Sequence, residues 1–210
     1  MKLEIIDVSK DEISYTPLVE PITLAQAKAW CLIDFTDDDT LITSLITQSR
    51  KAIENYCNIS IVPKTITLTA RNPMPFNADL NILNFRWDAT FFGWPINYQW
   101  TELPWGPVAS VSSVTAIDTA GAITVLTNNS DYYLSGQAFK QMRVNMWYDQ
   151  LIIIYSTPYF CPDALQEAIL NEIAFRYQNR GSGLNRYAAQ NVGASEGAAF
   201  LADPYKRYQF

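Results

Sequence analysis

The chain contains no histidine. That removes the side chain that ordinarily titrates near neutral pH, the Ser-His and Cys-His nucleophile pairs, and the commonest transition-metal ligand. Cysteine is scarce: Cys31, Cys57 and Cys161 are odd in number and far apart, without the close CxxC spacing of a zinc or redox site. Reduced thiols in a core are the expected reading. Basic residues are outnumbered, 15 Lys+Arg against 21 Asp+Glu for a formal charge of -6. No segment clusters Lys and Arg as phosphate neutralisation requires, which argues against tight nucleic-acid binding. An acidic surface would instead let DNA slide past without sticking. No apolar run approaches the roughly 18 residues of a membrane span, and the alternating charged and apolar start, Met1 to Val8, is unlike a secretion signal.

What is present suits a globular chain: 210 residues, 49% hydrophobic and 17% charged, enough apolar material for a real core or for two small lobes. Thr23 stands three residues before Gln26 in a capping-box pattern, predicting a short helix from Pro21 to about Ile33. A second helix is expected after Thr36 or Asp37, with Leu41, Ile42, Leu45, Ile46, Ala52, Ile53 and Tyr56 on one face. Asp37, Asp38 and Asp39 lack the alternating acceptors and central glycine of a calcium loop. They read as a helix start that favours the dipole.

After Asn58 the chain turns β-branched. Strands are expected within Ile61 to Ala70, Val108 to Ile117, Ile123 to Leu126, Tyr132 to Leu134 and Leu151 to Tyr155, with turns at 118–121, 128–131 and near Gly136, as a small antiparallel sheet or barrel. A final helix begins at Pro162, where the pattern Leu165, Ala168, Ile169, Glu172, Ile173, Phe175 and Arg176 fixes one apolar face with polar neighbours, and stops at Gly181 to Gly183. The fold class is α+β. Residues 1–21 form an N-terminal extension, 22–58 the helical pair, 59–160 an inserted β-rich domain, and 161–183 a helix completing a bundle. Residues 184–210 form an extended docking tail.

Three segments carry a family likeness. "ITLAQAKAWCLID" leading to "DDTLITSLITQSRKAIENYCN" (Ile22 to Asn58), "LPWGPVASVSSVTAID" (Leu103 to Asp118) with the Tyr132 to Leu134 strand, and "PDALQEAILNEIAFRYQNRG" (Pro162 to Gly181) come in an order that resembles the tailed-bacteriophage head-to-tail connector, or adaptor, family. The stretch Asn72 to Trp100 looks longer and more aromatic than the family's corresponding connection. The resemblance implies a non-enzymatic virion protein, assembled in the bacterial host cytoplasm, that forms a homo-oligomeric ring of about twelve copies related by cyclic symmetry. It also implies contact with the portal protein and with the next tail or stopper protein, and genomic DNA passing through the channel without sequence-specific binding. No cofactor, metal or membrane enters.

Two candidate interfaces follow. One is the aromatic segment 72–105, holding Phe85, Trp87, Phe91, Phe92, Trp94, Trp100 and Trp105, because Trp and Tyr are enriched in interface cores. Core insertion and sugar stacking stay open beside it, the latter because Asn81, Asn84, Asp88 and Asn97 would supply polar partners. A virion-associated glycan-binding module is therefore the alternative function. The other is the C-terminus, with Tyr205, Tyr208 and Phe210. It is expected to dock on the portal or a neighbour, and deletion of 202–210 is expected to leave the fold intact. A catalytic pair drawn from Asp88, Glu102, Asp118 and Asp149 is the least favoured reading, since any acidic protein offers such pairs.

Overall fold

The structure is a computed structural model, described for residues 4–12, 20–71, 100–145, 148–179 and 194–207. The chain divides into two compact units. One comprises 1–12 and 64–157 with Phe210, the other 13–63 and 158–209.

Among the described residues the first unit is all β. Strands β1 (Glu4–Glu12), β2 (Lys64–Arg71), β4 (Ser110–Ile117), β5 (Ile123–Val125) and β8 (Gln150–Ser156) form one antiparallel sheet in the order β1-β2-β8-β4-β5. Strands β3 (Thr101–Glu102), β6 (Tyr132–Ser135) and β7 (Gln141–Val144) form a second, in the order β3-β7-β6. β8 is central because both its neighbours place apolar residues opposite its own: Ile153 pairs with Leu68 on one side and Val114 on the other, and Leu151 with Ala70 and Ala116. Side chains on alternate residues point to opposite faces of a strand, so these meet in one row. That row joins Leu103, Leu126, Tyr132, Met142 and Val144 in a single core.

Turn chemistry matches the expected punctuation. Asp118 Oδ1 accepts from Ala120 N and Ala122 N, 2.8 Å each, and Gly121 takes φ +85°. Gly136 takes φ +89°, and a Cβ there would stand 2.5 Å from Phe139 O. Only glycine suits such a position. The Gly106–Pro107 peptide is cis.

The second unit is helical: α1 (Leu24–Cys31), α2 (Asp39–Cys57), α3 (Asp163–Gln178) and α4 (Glu196–Ala202), followed by a 3-10 turn over 203–205. α1 and α4 each pack on both α2 and α3, which pack on one another. The capping box at the start of α1 is formed: Gln26 N donates to Thr23 Oγ1 at 3.2 Å and Thr23 N to Gln26 Oε1 at 2.9 Å. α2 buries Ile42, Leu45, Ile46, Ile53 and Tyr56 as its periodicity predicts.

Several expectations need correction. Residues 4–12, read as part of an extension, form strand β1, whose alternation of exposed Asp7, Ser9 and Asp11 with half-buried Val8 and Lys10 suits a sheet edge. Leu41, assigned to the buried face of α2, is exposed. Phe175, placed on the apolar face of α3, is only half-buried. Strands β3 and β7, two and four residues long, are too short for their alternation to stand out in the sequence. The stretch from 184, expected to be extended, contains α4 within its described part, because Ala198, Ala199 and Ala202 are small enough for a close approach to α3 and α2. The expected glycine stop at 181–183 lies outside the described residues.

Candidate functional site

Of the candidate interface residues, Phe85, Trp87, Phe91, Phe92, Trp94, Tyr208 and Phe210 lie outside the described residues, as do Asn81, Asn84, Asp88 and Asn97. Trp100, Trp105 and Tyr205 are described.

Trp100 immediately precedes β3 and is exposed. The Arg143 guanidinium, on β7, lies 5.2 Å from its ring centroid and 4.9 Å from that of Tyr133. Tyr133 is the cross-strand partner of Arg143 in the β6–β7 register. One cation therefore lies over the ring of its cross-strand partner on β6 and over that of the residue just before β3, which holds Trp100 against the sheet while leaving it partly exposed. Trp105 differs. It is half-buried, packed on the β core, with φ +51°, and Lys10 Nζ of β1 stands 3.9 Å from its ring centroid. Trp105 closes the edge of a core and Trp100 offers a surface.

Tyr205 sits in the turn after α4, edge-on to Phe160 with centroids 6.4 Å apart. The segment around it is tied to the end of α2. Tyr56 Oη donates to Asp203, Arg207 N to Cys57 O at 2.8 Å, and Asn58 Nδ2 to Arg207 O at 3.0 Å. Cys57 Sγ donates to Ala202 O. The expectation was that removal of 202–210 leaves the fold intact; the described part of that segment, 202–207, is bonded to the end of α2.

Two buried carboxylates, not foreseen as organisers, fasten the helical unit. Glu54 accepts from Arg50 Nη1 at 3.0 Å through Oε2, and from Ile61 N at 2.8 Å and Val62 N at 3.4 Å through Oε1. Arg50, fully buried, also reaches Glu20 through Nε at 2.8 Å and Nη2 at 3.2 Å. On α3, Glu172 takes Arg176 Nε and Ser195 N, both at 2.6 Å. The i,i+4 spacing of both pairs was the available sequence signal.

The acidic run at the start of α2 forms tertiary ties. Asp38 is the N-cap residue without a side-chain cap bond, and its Oδ2 accepts from Tyr177 Oη at 2.6 Å. Asp39 takes Lys28 Nζ at 2.6 Å. Among the described residues no group of acidic or thiol side chains is arranged to hold a metal. Asp118 is occupied by its turn, and Glu102 stands on the other sheet. Burial raises all three thiols, with Cys57 and Cys161 pushed up to about 12; the expected core placement holds for Cys57, which is buried, whereas Cys31 and Cys161 are half-buried. Among the described residues no helix is long and apolar enough to cross a membrane.

Residues 21–83 match the family described as phage gp6-like head-tail connector protein. No curated protein matches the chain. Among solved structures, the chain is similar to a subunit in the neck of an empty gene transfer agent (GTA) particle, computed with C6 symmetry, at 15% identity and TM-score 0.60, covering 96% of this chain and 97% of that one. A chain in the virion of a native GTA particle aligns at 16% identity and TM-score 0.61, covering 96% of each. One in the neck of a native GTA particle, computed with C12 symmetry, aligns at 16% identity and TM-score 0.53, covering 96% and 97%. The likeness to the head-to-tail connector family carried by the sequence is therefore met again in a family match over residues 21–83, and the solved structures share the α+β fold over nearly the whole chain.

Proposed function

We propose that this chain is a structural subunit of the head-to-tail connector of a tailed phage or phage-like particle. Copies of it form a ring beneath the portal that continues the DNA channel and offers a docking surface to the next tail component. The observation that carries this reading is the coincidence of two independent likenesses. The helical pair matches a connector family, and the fold as a whole is that of chains from particle necks computed with cyclic symmetry.

Further features support it. The net charge of -6 suits a wall past which DNA slides. The exposed Trp100, held by Arg143, is a preformed aromatic contact for a protein partner. The role requires no bond chemistry, only two faces of different specificity. Assembly becomes ordered if the portal gathers many weak contacts into register.

Sedimentation of the purified chain with portal rings from the same genome tests the reading. Co-sedimentation in fixed stoichiometry is expected. A chain that stays in the supernatant at every concentration would remove the connector role.

A further inference from the structure

The chain passes from one unit to the other at 12–13, 63–64 and 157–158. The first passage leads into 13–19, outside the described residues. At each of the other two stands a proline, Pro63 and Pro158. Proline has a fixed φ and no N–H to donate, and it holds the residue before it in the extended region. β2 and β8 pair with Thr65 opposite Ser156, and extending that register by two positions sets Pro63 opposite Pro158. Both strands therefore lose their ladder donors at the same level.

On the β side the two strand ends are clasped. Thr157 N donates to Lys64 O at 2.9 Å, while the Thr157 hydroxyl accepts from Lys64 N at 2.9 Å and lies 3.4 Å from Lys64 O. Lys64 and Thr157 are both buried. On the helical side Ile61 N and Val62 N are held by Glu54 Oε1, and Phe160 N donates to Ile61 O at 2.9 Å. Ile61 and Val62 are buried as well, whereas Tyr159 is exposed. What lies between the two clasps is short: Pro63 on one strand, Pro158 and Tyr159 on the other.

Two effects of proline oppose one another here. The fixed φ stiffens the chain, and the missing N–H removes a bond that would hold the strands in one arrangement. Their combination selects the kind of motion. The ψ angles of Pro63 and Pro158 and the two dihedrals of Tyr159 are left to turn, and they lie side by side on neighbouring strands. A single flexible tether would swivel in all directions; two stiff strands with adjacent free torsions turn about one line, as a hinge does. Each side of that line is a body with its own packing, strands on strands in one and helices on helices in the other.

We propose that Pro63 and Pro158 form a two-stranded hinge about which the helical unit and the β unit turn as rigid bodies. The inference stands apart from the connector reading. To a connector it adds the freedom to seat each unit on its own partner.

Distances between pairs of spin labels in the full chain test it. One pair spans the units, Gln48→Cys on α2 with Thr124→Cys on β5; the control pairs stay within a unit, Ala29→Cys with Gln48→Cys and Asp7→Cys with Thr124→Cys. All five positions are exposed. Half-buried Cys31 and Cys161 are changed to serine and buried Cys57 is left in place. The pair across the units is expected to give a wider distance distribution than either control. Thr157→Val, which removes the acceptor of Lys64 N, is expected to widen it further while the controls keep their widths. A distribution as narrow as the controls, or one that Thr157→Val does not change, would overturn the hinge. Small-angle X-ray scattering of the unmodified monomer gives a second readout, and a profile that one rigid arrangement fits would overturn it too. Neither measurement involves the portal, so a negative result here leaves the connector reading standing.

Discussion

Arg50 and Glu54 are joined by a hydrogen-bonded ion pair of 3.0 Å that is sealed from solvent, one turn apart on α2. Each spends its remaining capacity on a different piece of chain: Arg50 on Glu20 before α1, and Glu54 on the amides of Ile61 and Val62 after α2. The pair therefore positions both exits of the helical hairpin. A buried pair of this kind adds little over an apolar isostere, but removing one member strands the other.

Glu54→Ala is accordingly expected to cost about 3–5 kcal/mol, because it leaves the Arg50 charge undercompensated and two amides without their acceptor. Urea denaturation followed by circular dichroism measures it. A loss under 1 kcal/mol would mean that the network is incidental.

Glu172 does for the C-terminal segment what Glu54 does for the 61–62 loop, through its bond to Ser195 N. Glu172→Gln weakens a charge-assisted bond to a neutral one, at a cost of about 1–2 kcal/mol. Hydrogen exchange is expected to speed up in 194–207, with the amides of β8 unchanged. Uniform acceleration across both units would contradict the local role.

Tyr155 is fully buried on the central strand, and its hydroxyl donates to Pro104 O. Burial raises its pKa. Tyr155→Phe keeps the ring and deletes the bond, leaving a carbonyl short of its donor, so a loss of about 1–2 kcal/mol is expected in thermal or urea unfolding. An unchanged midpoint would show that the carbonyl finds another partner.

The thiols give a pH signature. Cys57 and Cys161 titrate near 12 in the fold, above the ordinary value of 9.0, chiefly through burial. Their raised values stabilise the fold fully below about pH 9, and that contribution is lost as pH climbs from there through about 12. Stability is thus expected to fall in that alkaline window, and Cys57→Ala to flatten the fall. At pH 8 a thiol reagent should modify Cys57 only after unfolding. Rapid modification of Cys57 itself in the native chain, located by peptide mapping, would contradict its burial.

How much of this was legible varies with the physics of each element. The inward stripe of α2 and the capping box at Thr23 are local patterns, and both formed where spacing placed them. Arg50 and Glu54 escaped notice because their burial depends on Glu20, thirty positions away, and on the loop at Ile61, neither of which periodicity reports. The helix at Glu196–Ala202 resembled a solvated tail because its packing uses small alanines and carries little hydrophobic signal. Among interface candidates, the aromatic character of Trp100 and Trp105 was plain. Which of them faces outward was decided by Arg143 and Lys10, brought from distant strands. Leu32 reads in the sequence as the last apolar position of the first helix, whereas its φ of +56° and its exposure place it outside the core.

The central claim, that this chain builds a ring joining a portal to a tail, is tested most directly by electron microscopy of the purified chain mixed with the portal from the same genome. A cyclic ring of this chain docked coaxially on the portal is the expected result. Portal particles that remain bare at saturating concentrations of the chain would contradict it.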